Sequence, residues 1–251
     1  MTTPSTDAME SPTPVAKPAP LWEDFIDIFH APSEVYARRE NSNPWPMILI
    51  ITVLVTLITV FTWGSLAGPI EAETREQMAK AMAKNPQATA DAIDSGIKMQ
   101  MGIRRWSGVF FPVGVLIASL FVWLLAKVLG AKETYQKAMI VVTYSAIIAV
   151  VQMLVVGAQA LVIDTSALTT PDKLSLSAAR FADKATTSPI MYSVLKLLDV
   201  FGIWSLIVMC IGVRVTGKTS KNTAIMFGVI WFAASVLIAA AFAARTAAAA
   251  G

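Results

Sequence analysis

The sequence holds one cysteine, Cys210, one histidine, His30, and charged side chains at only 15% of its 251 positions. A disulfide scaffold needs paired cysteines and a zinc module needs several Cys and His ligands, so both are excluded. Most histidine-based catalysis goes with them. Asp, Glu, Lys and Arg are missing altogether from Asn41 to Ile70, Trp106 to Ala126, Ala138 to Ile163 and Asn222 to Ala244. Each of these runs meets the roughly 20-residue requirement for crossing a bilayer. Soluble domains carry about 25% charged residues, so this chain reads as an integral membrane protein with the lipid bilayer as its first partner. The net charge of +3 does not point to nucleic acid, because the basic residues flank the apolar runs instead of forming one patch. No phosphate-cradling loop of the GxxxxGKS or GxGxxG kind is present. An intramembrane aspartyl protease would need a second deep Asp, and a serine one a histidine partner at membrane depth. The expectation is a protein that is not an enzyme and holds no metal or cofactor.

Five prolines among Thr, Ser and Ala in residues 1–20 leave too little apolar surface to offset the entropy of ordering, which predicts a disordered tail. The start lacks the apolar stretch of a signal peptide and the glycine of a myristoylation site, and the end AAAAG lacks a prenylation cysteine, so insertion is expected to use the internal helices. Leu21, Trp22, Phe25, Ile28 and Phe29 then recur at helical spacing, with Glu23, Asp24 and Asp27 on the other face. That acidic face would be repelled by anionic headgroups, so the helix is expected to dock on its own bundle or on a partner. Trp22, Phe25 and Phe29 are the candidate partner-binding residues. Pro32 and Glu34 suit the first turn of a second short helix.

Spans are predicted at about 47–66, 106–129, 137–163, 193–213 and 223–244, in a membrane domain covering 21–245 with a short tail at 246–251. The fourth span must extend back past Lys196 and Asp199, because Val200 to Val213 alone makes roughly 21 Å against a core of about 30 Å. Residues 67–105 read as a water-exposed helical hairpin and 164–192 as a second long loop on the same side. The fold class is therefore all-α, a bundle of five transmembrane helices with an amphipathic amino-terminal helix. Lys127, Lys132 and Lys137 bracket one short loop, and Arg214, Lys218 and Lys221 fill the other. Both should face the cytoplasm, with the amino terminus inside and the carboxyl terminus outside.

Four residues form the candidate intramembrane polar site. Asp199 is costly in hydrocarbon and is a functional candidate by default; Lys196, three residues earlier, would pair with it on one helical face. Gln152 and Gln159, seven apart on the third span, share a face and suit either helix packing or a polar path. Ser235, Ala239 and Ala243 make a small-residue stripe suited to close helix approach. Cys210 sits among apolar residues, where a thiol is inert.

Two stretches carry a family resemblance. IDIFHAPSEVYARRENSNPWP resembles the start of bacterial Yip1-domain proteins, with Phe29, Pro32, Val35, Trp45 and Pro46 in the corresponding places. LLDVFGIWSLIVMCIGVRVTGKTSKNTA is similar to the family's fourth span and following loop, through Asp199, Phe201, Trp204, Ser205, Gly212 and Gly217. The resemblance covers about residues 21–245 and implies five spans in a bacterial plasma (inner) membrane. Eukaryotic relatives carry an Asp-Leu-Tyr-Gly-Pro motif and associate with Rab GTPases; that motif is absent here, so the GTPase partner does not transfer. Two functions stay open. One is a non-enzymatic scaffold that organises or recruits a membrane-protein partner, or a second copy of itself. The other is a small-solute or lipid permease built on Asp199, Lys196, Gln152 and Gln159.

Overall fold

The computed structural model describes residues 20–82, 89–165, 168 and 170–250. The tail predicted over 1–20 lies, except for Pro20, outside the described residues. Nine α-helices are found among the described residues: α1 (Leu21–His30), α2 (Pro32–Arg39), α3 (Trp45–Met82), α4 (Ala90–Arg105), α5 (Phe111–Val128), α6 (Tyr135–Val162), α7 (Pro189–Leu197), α8 (Val200–Thr216) and α9 (Lys221–Ala250). Short 3₁₀ turns lie at Ser107–Phe110, Pro171–Leu174 and Ala178–Phe181. The all-α expectation therefore holds. Four helical stretches are long and apolar enough to cross a membrane: Trp45–Ala79, Ser107–Val128, Tyr135–Val162 and Lys221–Ala247.

These stretches expose apolar side chains to a degree that water would not tolerate. Leu49, Val53, Leu57 and Phe61 form an outward ridge on α3, and Val113, Ile117, Phe121 and Leu124 do the same on α5. Their spacing puts each set on one helical face, which is the surface a bilayer would cover. Inside, α6 is the hub, with 50% of its most apolar stretch buried against 11% for α9. It packs on α3, α5 and α8, and its threonine and serine hydroxyls find partners: Thr143 donates to the Met139 carbonyl at 2.6 Å.

The helix ends are set by local chemistry. Thr134 caps α6 by accepting the Lys137 amide at 3.3 Å, and Ser220 caps α9 through the Thr223 amide at 3.1 Å. Gly130, at φ +80°, ends α5, and the Ala131 amide reaches back to the Ala126 carbonyl at 2.9 Å. α3 does not stop near Leu66 as expected. It runs through Pro69 to Met82, 38 residues or about 57 Å, because the alanines, Glu and Lys after Ile70 are strong helix formers. Its distal part is one arm of the predicted hairpin and α4 is the other, pinned by Arg75 to Asp94 at 2.9 Å. At the far end α9 continues through residues 246–250, which were expected to be a tail. The small-residue stripe lies where α7 meets α9, with Ala243 buried.

The amino-terminal helices do not lie flat across the bundle. α1 and α2 turn at Ala31 into a hairpin that enters between α6 and α8. The Tyr36 hydroxyl donates to the Val141 carbonyl at 3.2 Å and meets Ser145 Oγ at 2.9 Å. Gly212 makes room for that ring, since a Cβ there would meet Tyr36 Cζ at 2.9 Å and Val141 at 3.0 Å. Phe29 sets its ring edge-on to Trp204 at 5.2 Å, and Trp204 lies twelve residues, roughly 18 Å, along α8 from Thr216. The hairpin is locked by Asp24, which is 0% exposed. One of its oxygens accepts Arg38 Nε at 2.8 Å, and the other accepts Arg39 Nε at 2.9 Å and the Tyr144 hydroxyl at 3.1 Å.

The loops at the basic end of the bundle are joined by a second set of polar contacts. Glu40 holds Lys218 at 2.7 Å and Lys137 at 3.7 Å. Glu133, buried in the loop before α6, accepts the Thr216 hydroxyl at 3.0 Å. Burial pushes its carboxyl from an ordinary 4.5 up to about 7, against the opposing pull of the Thr216 hydrogen bond and of Lys137.

Two outcomes are expected. Asp24→Asn removes the buried carboxylate that Arg38 and Arg39 share, although Arg38 keeps Asp27 at 2.6 Å, and costs about 3–5 kcal/mol; thermal unfolding in detergent should show the loss, with α1 and α2 becoming protease-sensitive. Glu133 binds its proton more tightly folded than unfolded, so its contribution to stability is fully present below 4.5 and lost as pH rises through about 7. Glu133→Gln should therefore gain on the wild type from about pH 4.5 to pH 7 and level off above it, and parallel stability profiles for the two proteins would refute the assignment.

Candidate functional site

The candidate site lies at the end of the bundle opposite the basic loops, where the expected fourth span is broken. α7 stops at Leu197 and α8 begins at Val200, with Leu198 and Asp199 in non-helical conformations. The continuous helix expected over 193–213 is thus two helices. α7 packs along α9, and α8, with 17 residues, is about 25 Å long. A break among apolar helices frees backbone groups that need partners. The loop before α7 supplies them: the Ala178 amide donates to the Leu198 carbonyl at 3.0 Å, and the Val200 amide to the Leu176 carbonyl at 3.4 Å. Ser177 and Asp199 thereby form an isolated antiparallel bridge.

Asp199 is 5% exposed and caps α8. Its Oδ1 accepts the Phe201 amide at 2.9 Å, the Gly202 amide at 3.0 Å and the Gln152 side-chain amide at 2.9 Å. Its Oδ2 is buried with no hydrogen-bond partner, as are Asp172 Oδ2 and the Tyr192 hydroxyl. The expected Lys196–Asp199 pair is not formed. An i, i+3 pair needs an unbroken helix, and the break at Leu198 turns Asp199 off the face that carries Lys196. Lys196 instead holds Asp172 at 3.0 Å. Gln159 reaches the same loop by donating to the Leu174 carbonyl at 3.0 Å. The structure thus joins Gln152 to Asp199 directly, and sets Gln159 and Lys196 on the segment that closes over them.

This outer loop is also tied to α3. Lys184 meets Glu73 at 2.8 Å, and the Thr165 hydroxyl donates to the Ser65 carbonyl at 2.8 Å. The Lys173 ammonium folds back onto the Arg180 and Ala182 carbonyls at 3.0 and 2.7 Å. The two long loops therefore pack on one another. Asp172, Ser177 and Glu73 gave no signal in the sequence, because their partners Lys196, Asp199 and Lys184 lie far from them along the chain. Among the described residues no group of His, Cys, Asp and Glu is arranged to hold a metal ion.

The three candidate partner residues on α1 separate into two kinds. Phe25 and Phe29 pack against the protein's own core, the latter on Trp204. Trp22 is 63% exposed and lies one turn from Ile26, 57% exposed, so these two form an outward apolar strip. The sequence pattern missed Ile26 because it assigned one apolar face to a helix that has two.

Comparison with known proteins agrees with this architecture. The Yip1 domain matches residues 26–243. A curated relative, described as membrane protein YknW of Bacillus subtilis (strain 168), is 25% identical over 206 residues, covering 82% of this chain and 83% of its own length. No solved structure matches. The hairpin that enters the bundle, the broken element at Asp199 and the apolar helices around them all fall within the matched region, and the chain belongs to the Yip1-domain family of membrane proteins.

Proposed function

We propose that this protein is a non-enzymatic, multi-pass membrane protein that organises or recruits a membrane-protein partner through α1. The observation that carries this reading is the strip Trp22 and Ile26, large apolar side chains displayed outward on a helix whose other face is fixed by the Asp24 clamp. A rigidly held apolar strip suits a partner helix read at i and i+4 spacing. In this reading α7 and α8 together complete a fifth crossing, and the termini lie on opposite sides of a bacterial plasma membrane. The basic end faces the cytoplasm, since Lys127, Lys132, Lys137, Arg214, Lys218 and Lys221 crowd the two short loops.

A permease is the second reading, and one observation favours it. Asp199 Oδ2 is a buried polar atom without a partner, the kind of group that would greet a polar solute, whereas the Tyr192 hydroxyl lies beside Asp172 and Thr170. Against it, Gln152 and the other oxygen of Asp199 are already engaged in holding the helix break together.

Two experiments separate these readings. With a photo-crosslinking residue at Trp22 in native membranes, the scaffold reading expects one discrete protein adduct; adducts with lipid alone would sink it. If Asp199 acts as a cap, Asp199→Asn keeps an equivalent acceptor and stays within about 0.5 kcal/mol of wild type, while Asp199→Ala loses about 1–2 kcal/mol. Equal losses in the two variants, measured by thermal unfolding, would show that the charge rather than the cap matters there.

A further inference from the structure

Between α8 and α9 a groove of about 670 Å³ opens on the outer surface of the bundle, within the range of small-ligand sites. Its walls are apolar, with Ile203, Ile207 and Ile211 on α8 facing Ile225, Val229 and Phe232 on α9. The lining runs from Ile203 to Arg214 on one helix and from Lys221 to Ala233 on the other. At 1.5 Å per residue each wall is roughly 17–18 Å long. That is little more than half of a hydrocarbon core of about 30 Å, so the groove has the depth of one leaflet. A crossing helix of a partner or of a second copy would need the full thickness. An acyl chain needs only the half.

Arg214 and Lys221 line the groove at its loop end and are exposed. Neither forms an ion pair among the described residues, whereas their neighbours Lys137 and Lys218 are both held by Glu40. Lys221 is also the first residue of α9, where the positive end of the helix dipole disfavours a cation. An anion bound between the two side chains would relieve both the unpaired charge and that repulsion. We propose that this groove is a binding site for an anionic phospholipid of the leaflet that meets the α8–α9 loop, with an acyl chain along the apolar walls and the phosphate between Arg214 and Lys221. The site is separate from both the Trp22 strip and the Asp199 break, and it stands whichever side of the membrane the basic end faces.

The test uses the full-length protein in neutral detergent, with phosphatidylglycerol or phosphatidylcholine added and retained lipid counted by native mass spectrometry. Two cations near an anionic headgroup should give about a thirtyfold preference for phosphatidylglycerol. Arg214→Gln with Lys221→Gln should remove the preference. Ala233→Trp, which fills the groove from an exposed position, should abolish retention with both cations still in place; Val229→Trp provides a second block, and size-exclusion profiles and helical content confirm that each variant is folded. Equal retention of the two lipids by the wild type would overturn the headgroup contact. An undiminished preference in both folded, groove-filled variants would overturn the groove and leave only surface charge.

Discussion

A carboxylate with no exposure to water governs the amino-terminal half of this structure. Asp24 is tolerable inside the bundle only because two guanidinium groups and a phenol surround it, since an unpaired charge there would cost several kcal/mol. Those donors come from two different elements. Arg38 and Arg39 require α2 to fold back antiparallel to α1, which the turn at Ala31 and the proline at the first position of α2 permit. Tyr144 requires the hairpin to enter the bundle beside α6. Once both conditions are met, Tyr36 falls against Gly212 and Phe29 against Trp204 without further adjustment. The outward direction of Trp22 and Ile26 is then a consequence of the clamp and not an independent feature.

The same constraint acts at the opposite end in a different form. There the costly groups are backbone amides and carbonyls released by the break between α7 and α8. Asp199 and the loop through Leu176 and Ala178 satisfy them, with Gln152 donating to the Asp199 carboxylate, in keeping with the rule that irregular backbone at membrane depth must be enclosed by protein. The enclosing loop is itself anchored by Lys184 on Glu73 and by Lys196 on Asp172. The accounting is incomplete at three atoms, one each on Asp199, Asp172 and Tyr192, and this residue of unsatisfied polarity separates the outer site from the fully paired clamp around Asp24.

Much of this was legible in the sequence, because length and the absence of charge are decisive for a membrane crossing. The runs behind Ser107–Val128 and α6 could be bounded to within a few residues at both ends, those behind α3 and α9 only at their amino-terminal ends, and Asp199, Gln152 and Gln159 could be picked out as polar groups in apolar surroundings. What could not be read is which partner each polar group chooses. Hydrophobic periodicity places Asp24 on a wet face, since nothing local reveals that Arg38 and Arg39 will return beside it. Lys196 and Asp199 look like an ion pair at helical spacing, and the spacing becomes meaningless once the chain departs from helix at Leu198. The first span reads as ending near Leu66, yet α3 passes through Pro69, and the strong helix formers that follow carry it on to Met82.

The two carboxylates that border α8 show how position decides what the same chemistry does. Asp199 sits at the amino end, where its carboxylate accepts the free Phe201 and Gly202 amides at the positive end of the dipole. Glu133 meets the other end through Thr216, close to the last carbonyls and the negative end. Burial is the main reason its carboxyl is pushed up to about 7, and the nearby Glu40 adds in the same direction. α8 is therefore fastened by a cap at its broken end and by a contact sensitive to protonation at its basic end. Because Thr216 lies only two residues beyond Arg214, the second fastening also holds α8 beside the loop end of the α8–α9 groove.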